Sequence, residues 1–198
     1  RTRFILAPIF FLAVCISLAH LNTDALAVMV LMWGIWHGLA QVYGFARIYD
    51  AKAGAVSPWT PRLDLYMCIV WFGAGVVFSP GRMATLLTFL YSAGGPVVPP
   101  GAIQALQPAW ALATVVVTLA FIVHLVLEWR RGRPTSPVKL LLFISSFGFW
   151  WYTMISINNG ILGVALFEIF HDVQYLSLVW IYNRKRVESG HALGGFMR

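Results

Sequence analysis

Long apolar stretches, separated by short polar segments rich in Pro, Gly or basic residues, dominate this sequence. An α-helix needs about 20 mostly apolar residues to cross the hydrocarbon core of a membrane. Six stretches approach this length, and they predict spanning helices at about residues 4–20, 24–47, 63–79, 108–129, 138–157 and 161–183. Pro108 stands where the fourth of these helices is expected to start, which suits a residue without a backbone N–H.

One further apolar stretch, residues 82–93, is too short to span a membrane comfortably. It predicts an interfacial or re-entrant helix, which a Gly- and Pro-rich loop follows. We therefore expect an all-α fold, a polytopic membrane helix bundle with about six transmembrane helices plus this short helix. Residues 1–198 would form a single integral membrane helical domain.

Composition and charge agree with a membrane protein. The chain is 60% hydrophobic and only 11% charged, whereas soluble domains carry about 25% charged residues. The net charge of +7 does not indicate nucleic-acid binding, because the basic residues fall on alternate loops, as the positive-inside rule describes. This alternation predicts that both termini are cytoplasmic. The basic clusters are Arg1 and Arg3; Arg47, Lys52 and Arg62; Arg130, Arg131, Arg133 and Lys139; and Arg184, Lys185 and Arg186.

Three histidines lie inside apolar stretches, and each has a polar partner about one helical turn away. A polar side chain at membrane depth is costly, so such residues usually face a bundle interior and mark a site. Of the seven carboxylates in the chain, three lie in these clusters. The clusters are His37 with Gln41, His124 with Glu128, and Glu168 with His171, Asp172, Gln174 and Tyr175.

The depths of the histidines can be estimated from the helical rise of about 1.5 Å per residue. His37 and His171 would lie roughly 15 and 20 Å from the cytoplasmic boundary, and His124 roughly 9 Å. The first two are therefore at compatible depths, and we expect their imidazoles to share one site, about 4–8 Å apart across a metal. Gly34 and Gly38, on one face beside His37, predict close helix packing there.

The chemistry of these side chains favours a metal. Glu-x2-His on bundle helices is the spacing of carboxylate-bridged di-iron proteins. Imidazole and carboxylate together suit iron, with copper, zinc or manganese as alternatives. We predict as metal ligands His37, His124, His171 and Glu168. Asp172 would orient a metal-ligating histidine without binding the metal itself. Gln41, Gln174 and Tyr175 would form hydrogen bonds with water, oxygen or substrate bound at the metal.

Simpler interpretations remain open for several polar residues. His124 is as well explained by a hydrogen bond across a helix interface, and we favour an interfacial Glu128 paired with arginine. Arg47 and Asp50 are interpreted as boundary residues without chemistry. His20 and His191 are expected to be solvated.

These observations predict a membrane metalloenzyme, an oxidoreductase or oxygenase that acts on a lipid-soluble substrate taken from the bilayer. The spread of single histidines over several membrane helices is loosely similar to bacterial carotene-cleaving membrane oxygenases, which bind iron through such histidines; no motif of that family matches residue by residue. One alternative is a small subunit of a larger membrane complex that binds haem or a chlorophyll-type pigment through its histidines. Another is a proton-coupled transporter with a relay through Glu168, His171 and Asp172, although no internal repeat supports it.

Overall fold

The computed structural model describes residues 2–54, 57–133 and 135–188, and every regular element in these ranges is helical. The prediction of an all-α chain is confirmed. Arg1 and His191, the latter predicted to be solvated, lie outside the described residues. The helices are α1 (Thr2–Leu21), α2 (Thr23–Ala53), α3 (Thr60–Val77), α4 (Pro80–Ser92), α5 (Pro100–Arg130), α6 (Pro137–Trp151), a π-helical turn (Tyr152–Ser156) that continues α6, and α7 (Gly160–Glu188).

Length and apolar composition make four of the described helices suitable to cross a membrane: α2, α5, α6 with its π-helical turn, and α7. The helices α3 and α4 meet at an 86° bend and would add a fifth, broken span if taken together. The described apolar part of α1, Ile5–Leu21, is shorter. These helices indicate an integral, multi-pass membrane protein. The count of six spans and the cytoplasmic location of both termini stay predictions.

Local sequence explains where the helices begin and end. The side chain of Asn22 accepts a hydrogen bond of 2.9 Å from the N–H of Ala25, which caps the start of α2. The helices α4 and α6 each begin with a proline, whose missing N–H costs nothing in the first turn. Gly54 ends α2 with a φ of 99°, a conformation that glycine adopts without strain.

The start of α5 corrects the sequence prediction. The helix begins at Pro100, not at Pro108, which lies inside it. An interior proline removes one backbone hydrogen bond, but membrane helices tolerate the loss because neighbouring groups can satisfy the freed carbonyl. The expected short helix at 82–93 is confirmed as α4, which Ser79 caps through its side chain.

The helix α3 lies at the centre of the bundle and packs against α2, α5 and α6. Two tryptophans fit into notches on its surface: Trp110 of α5 over Gly73, and Trp150 of α6 over Gly75. A Cβ atom at either glycine would overlap the indole ring. Each indole N–H also donates to a carbonyl of α3 at 2.9 Å. These paired contacts hold α5 and α6 against α3.

Candidate metal centre

Two of the predicted ligands, His37 of α2 and His171 of α7, are neighbours in the structure. Their ring centroids are 5.5 Å apart and the ring planes make an angle of 81°, an edge-to-face arrangement. The ring of His171 also stacks on that of Phe167, with centroids 5.6 Å apart. Matching depth along two membrane helices therefore correctly predicted that these imidazoles would meet.

His171 is a buried side chain without polar partners. It is 1% exposed, and neither ring nitrogen has a hydrogen-bond partner among the described residues. One turn further along α7, Gln174 donates through Nε2 to Ser146 Oγ at 3.2 Å, but its buried Oε1 likewise has no partner. Buried polar groups are nearly always hydrogen-bonded, because leaving one unpaired costs free energy. The structure therefore leaves two ring nitrogens and one amide oxygen unpaired near a second imidazole.

At the level of the histidine pair, aromatic side chains of α3 and α7 approach Gly38 of α2 closely. Gly38 is buried, and a Cβ atom there would lie 3.0 Å from the ring of Phe72 and 3.1 Å from that of Phe167. The predicted close approach is thus confirmed at Gly38, whereas Gly34 has no atom of another element within 4 Å of its Cβ position. Gln41 donates to the backbone carbonyl of His171 at 3.2 Å, so it joins two helices instead of facing into the site.

The two histidines differ in their access to the outside of the bundle. His37 is exposed, and its ring stacks on that of Trp33 with centroids 6.4 Å apart. Trp33 in turn contacts Trp36, and both indoles are exposed. The pair is therefore enclosed on the α7 side and reaches the outer surface on the α2 side.

The carboxylates of α7 that follow or precede His171 in sequence do not complete a coordination sphere with the pair. Glu168 is half-buried and close enough to His37 and Asp172 for their charges to interact. Asp172 and Tyr175 are exposed. In residues 2–54, 57–133 and 135–188, no group of three or more His, Cys, Asp or Glu side chains is arranged to hold a metal ion. Direct ligation by Glu168 stays a prediction.

His124 belongs to a different part of the bundle. Its Nε2 lies 2.8 Å from the hydroxyl of Thr60, which joins α5 to the start of α3. Its charged neighbours are at that end of the molecule and include Glu128 and Lys139. The structure therefore does not bring His124 to the other two histidines, and the hydrogen bond across a helix interface explains it.

Glu128 is paired with arginine, as the sequence analysis favoured. It is buried, and its carboxylate oxygens lie 2.9 Å from Arg131 and 3.0 Å from Arg133. The pairing with arginine near the end of a span is confirmed.

A buried cluster of four charged residues, Arg47, Asp50, Asp64 and Lys139, was missed by the sequence analysis. We call it the ion cluster. Lys139 and Asp64 are both 0% exposed. Lys139 Nζ lies 2.9 Å from Asp50 and 2.5 Å from Asp64, and Arg47 pairs with both aspartates. Arg47 and Asp50 have the structural role that was expected of them, but the sequence analysis did not predict that α2, α3 and α6 would bring them together with Asp64 and Lys139.

A signal for the ion cluster was present in the sequence. Asp50 lies near the end of one predicted helix, and Asp64 and Lys139 lie at the starts of two others. Those three ends were expected on one side of the membrane, where opposite charges at similar depth can pair.

Comparison with known proteins does not add to these findings. No protein-family model matches the chain, and neither the curated proteins nor the solved structures contain a match. The functional conclusion therefore depends on the site itself.

The spacing of the two imidazoles can be compared with that of known centres. Two imidazoles bound to one metal at 2.0–2.1 Å, with a ligand angle of 90–120°, have ring centroids about 4.5–5.5 Å apart. Two axial imidazoles on opposite faces of one tetrapyrrole have centroids about 6.3 Å apart, with the macrocycle between them. The observed 5.5 Å is within the range of the first case and too short for the second, and it is also the ordinary spacing of an edge-to-face aromatic pair.

Proposed function

We propose that His37 and His171 bind a transition metal, with iron in first place, and that the protein is a membrane oxidoreductase acting on a lipid-soluble substrate. The observation that carries the proposal is the buried His171. Its ring nitrogens have no hydrogen-bond partner, and its ring centroid lies 5.5 Å from that of a second imidazole, His37. Neutral imidazole is a ligand for iron, copper and zinc, and a ligated nitrogen is no longer an unpaired buried group.

The residues around the pair have separate roles in this proposal. His171 and His37 hold the metal from two helices, and Glu168, one turn before His171 on α7, is the carboxylate that could add an oxygen ligand. Bound iron would supply redox chemistry. Phe167 and Gln41 keep the His171 turn in place, the first through its ring and the second through the backbone carbonyl.

The route of the substrate follows from the exposed side of the site. His37 and Trp33 lie at the outer surface of a helix that is apolar enough to cross a membrane. A lipophilic molecule dissolved in the bilayer could reach the pair there without leaving the apolar phase. We therefore expect a hydrophobic substrate with no need for an aqueous channel.

Metal analysis of the detergent-purified chain tests the proposal. After loading with Fe(II), the parent protein should hold about one metal per chain, and His171→Asn and His37→Asn should each lose it. His124→Asn is the matched control and should keep it, because His124 is bonded to Thr60. The absorption spectrum should lack the Soret band of a tetrapyrrole. A parent protein that binds neither iron, copper nor zinc would overturn the proposal.

A second candidate, a subunit that binds a tetrapyrrole, has one observation in its favour. The Cβ positions of Gly34 and Gly44, on the same helix as the exposed His37, have no atom of another element within 4 Å. A flat ring could lie on this open surface with His37 alone as its axial ligand. A Soret band that His37→Asn removes and His171→Asn leaves would favour this candidate.

A further inference from the structure

The short helix α4 bridges the two helices that carry the histidine pair. It packs against α2, and the carbonyl of Ala93 at its end accepts a hydrogen bond of 3.1 Å from the side chain of Asn22, the residue that caps α2. In its first turn, Arg82 extends to the start of α7. The described parts of α2 and α7 make few contacts with each other, so α4 relates them at this end of the bundle.

The guanidinium of Arg82 lies against the junction between α6 and α7, residues 157–159. Its Nη2 donates to three backbone carbonyls, at 3.0 Å from that of Ile157 and 3.3 Å from those of Thr153 and Asn159. Thr153 belongs to the π-helical turn, and Asn159 directly precedes α7. One side chain of α4 therefore binds both the end of one helix and the start of the next.

The first turn of α7 is shaped to accept this side chain. Asn159 caps the helix, because its side chain accepts a hydrogen bond of 3.0 Å from the N–H of Leu162. A Cβ atom at Gly160 or Gly163 would overlap the guanidinium of Arg82. The last carbonyls of a helix carry partial negative charge, so a cation is favourable at the end of α6.

The length of α7 turns a small rotation at this junction into a large shift at the histidines. His171 lies twelve positions after Asn159, or about 18 Å along the helix. A tilt of about 10° at the junction would move His171 by about 3 Å at this helical rise. A functional site has to be held to within about 0.5 Å. The start of α7 therefore has to be fixed for His171 to stay beside His37.

We infer that Arg82 is a positioning residue for the histidine pair. Through α4 it fixes the start of α7 relative to α2, and so sets the separation of His37 and His171. The hydrogen bond from Gln41 to the carbonyl of His171 then fastens a helix whose start is already placed. The consequence for metal binding rests on the proposed function, but the placement of α7 does not require a metal.

Pulsed electron paramagnetic resonance of the metal-free full chain in detergent tests this inference. Nitroxide labels are attached through Ile48→Cys of α2 and Trp180→Cys of α7, both at exposed positions, after the two native cysteines are replaced by alanine. A tilt of about 10° would move residue 180 by about 5 Å, because it lies far along α7. Arg82→Met keeps the apolar stem and removes the donors, so it should change the mean distance between the labels by about this amount.

Two controls separate positioning from a general loss of stability. Arg62→Met removes an exposed arginine of α3 and should leave the distance unchanged. Thr60→Val removes the partner of His124 at the opposite end of α3 from α4, so it should lower stability and also leave the distance unchanged. An unchanged distance in Arg82→Met would overturn the inference, as would an equal change in Thr60→Val.

Gly160→Ala provides a second test if Arg82→Met does not fold. The added methyl group displaces the guanidinium from the start of α7 without altering α4, so the distance between the labels should again change. Gly101→Ala, in the first turn of α5 with open space around it, is the matched control. Equal distances in these two variants would then overturn the inference.

Iron binding separates this inference from the proposed function. After loading with Fe(II), Arg82→Met should lose most of the metal that the parent holds, and Arg62→Met should keep it. A distance that depends on Arg82 in a protein that never binds iron, copper or zinc would refute the proposed function alone. Metal binding by a protein whose distance is indifferent to Arg82 would refute this inference alone, and so would a changed distance that leaves metal binding intact.

Discussion

The ion cluster and the histidine pair are both buried polar groups in an apolar bundle, but they differ in how fully they are satisfied. Each charge of the ion cluster contacts an opposite charge, and Lys139 contacts two. Neither ring nitrogen of His171 has a partner among the described residues. The ion cluster is not fully hydrogen-bonded either, because Arg47 Nε and Asp64 Oδ1 have no hydrogen-bond partner among the described residues. The difference is that its charges are paired and join helices, whereas the ring of His171 has no polar partner of any kind.

The two regions are linked through α2 and α6. His37 and Arg47 lie on the same helix, ten positions or about 15 Å apart, and the ion cluster joins that helix to α6 through Asp50 and Lys139. Further along α6, Ser146 accepts from Gln174 of α7. The ion cluster therefore helps to fix the helices that carry the histidine pair.

The largest loss of stability is expected when the ion cluster is disrupted. Lys139→Met would leave two buried aspartates with only Arg47 to balance them. Removing one partner of a buried ion pair typically costs about 3–5 kcal/mol. Unfolding in detergent, followed by circular dichroism, should show a loss of this size. Lys52→Met is the control, because Lys52 is exposed at the end of α2. Equal stability of the two variants would show that the ion cluster does not hold the helices together.

A substitution at Gly38, where aromatic rings approach α2 beside the histidine pair, should cause a loss of stability of intermediate size. Gly38→Ala would place a methyl group 3.0 Å from one ring and 3.1 Å from another. Such overpacking costs about 1–3 kcal/mol. Gly34→Ala, on the same helix with open space around it, should instead stabilise by up to about 1 kcal/mol from helix propensity. The same unfolding assay compares them, and effects of the same sign would contradict the packing described here.

The smallest loss of stability is expected at His124, which lies near Lys139 of the ion cluster and away from the histidine pair. Thr60→Val removes its hydrogen-bond partner and should cost about 0.5–1.5 kcal/mol. The metal content should be unchanged. Thr114→Val is the control, since that hydroxyl donates only to a carbonyl of its own helix. A loss of metal in Thr60→Val would place His124 in the centre after all.

The sequence predicted the helices better than it predicted their polar contacts. Apolar length located every helix of the described residues, because burial of backbone groups in lipid permits few alternatives. The early start of α5 was missed, since proline marks a helix start only when no earlier start is available. The meeting of His37 and His171 was predictable from depth along straight helices. Which face of α7 points into the bundle was not predictable from depth. That face carries the buried His171, whereas Asp172 beside it is exposed.

The identity of the atoms around a bound metal tests the central claim most directly. X-ray absorption fine structure of the iron-loaded parent should show two imidazole ligands at about 2.0–2.1 Å. The imidazole scattering should be halved in any metal retained by His37→Asn and unchanged in His124→Asn. A loaded parent protein whose metal shows no imidazole scattering would contradict the claim that His37 and His171 form the centre.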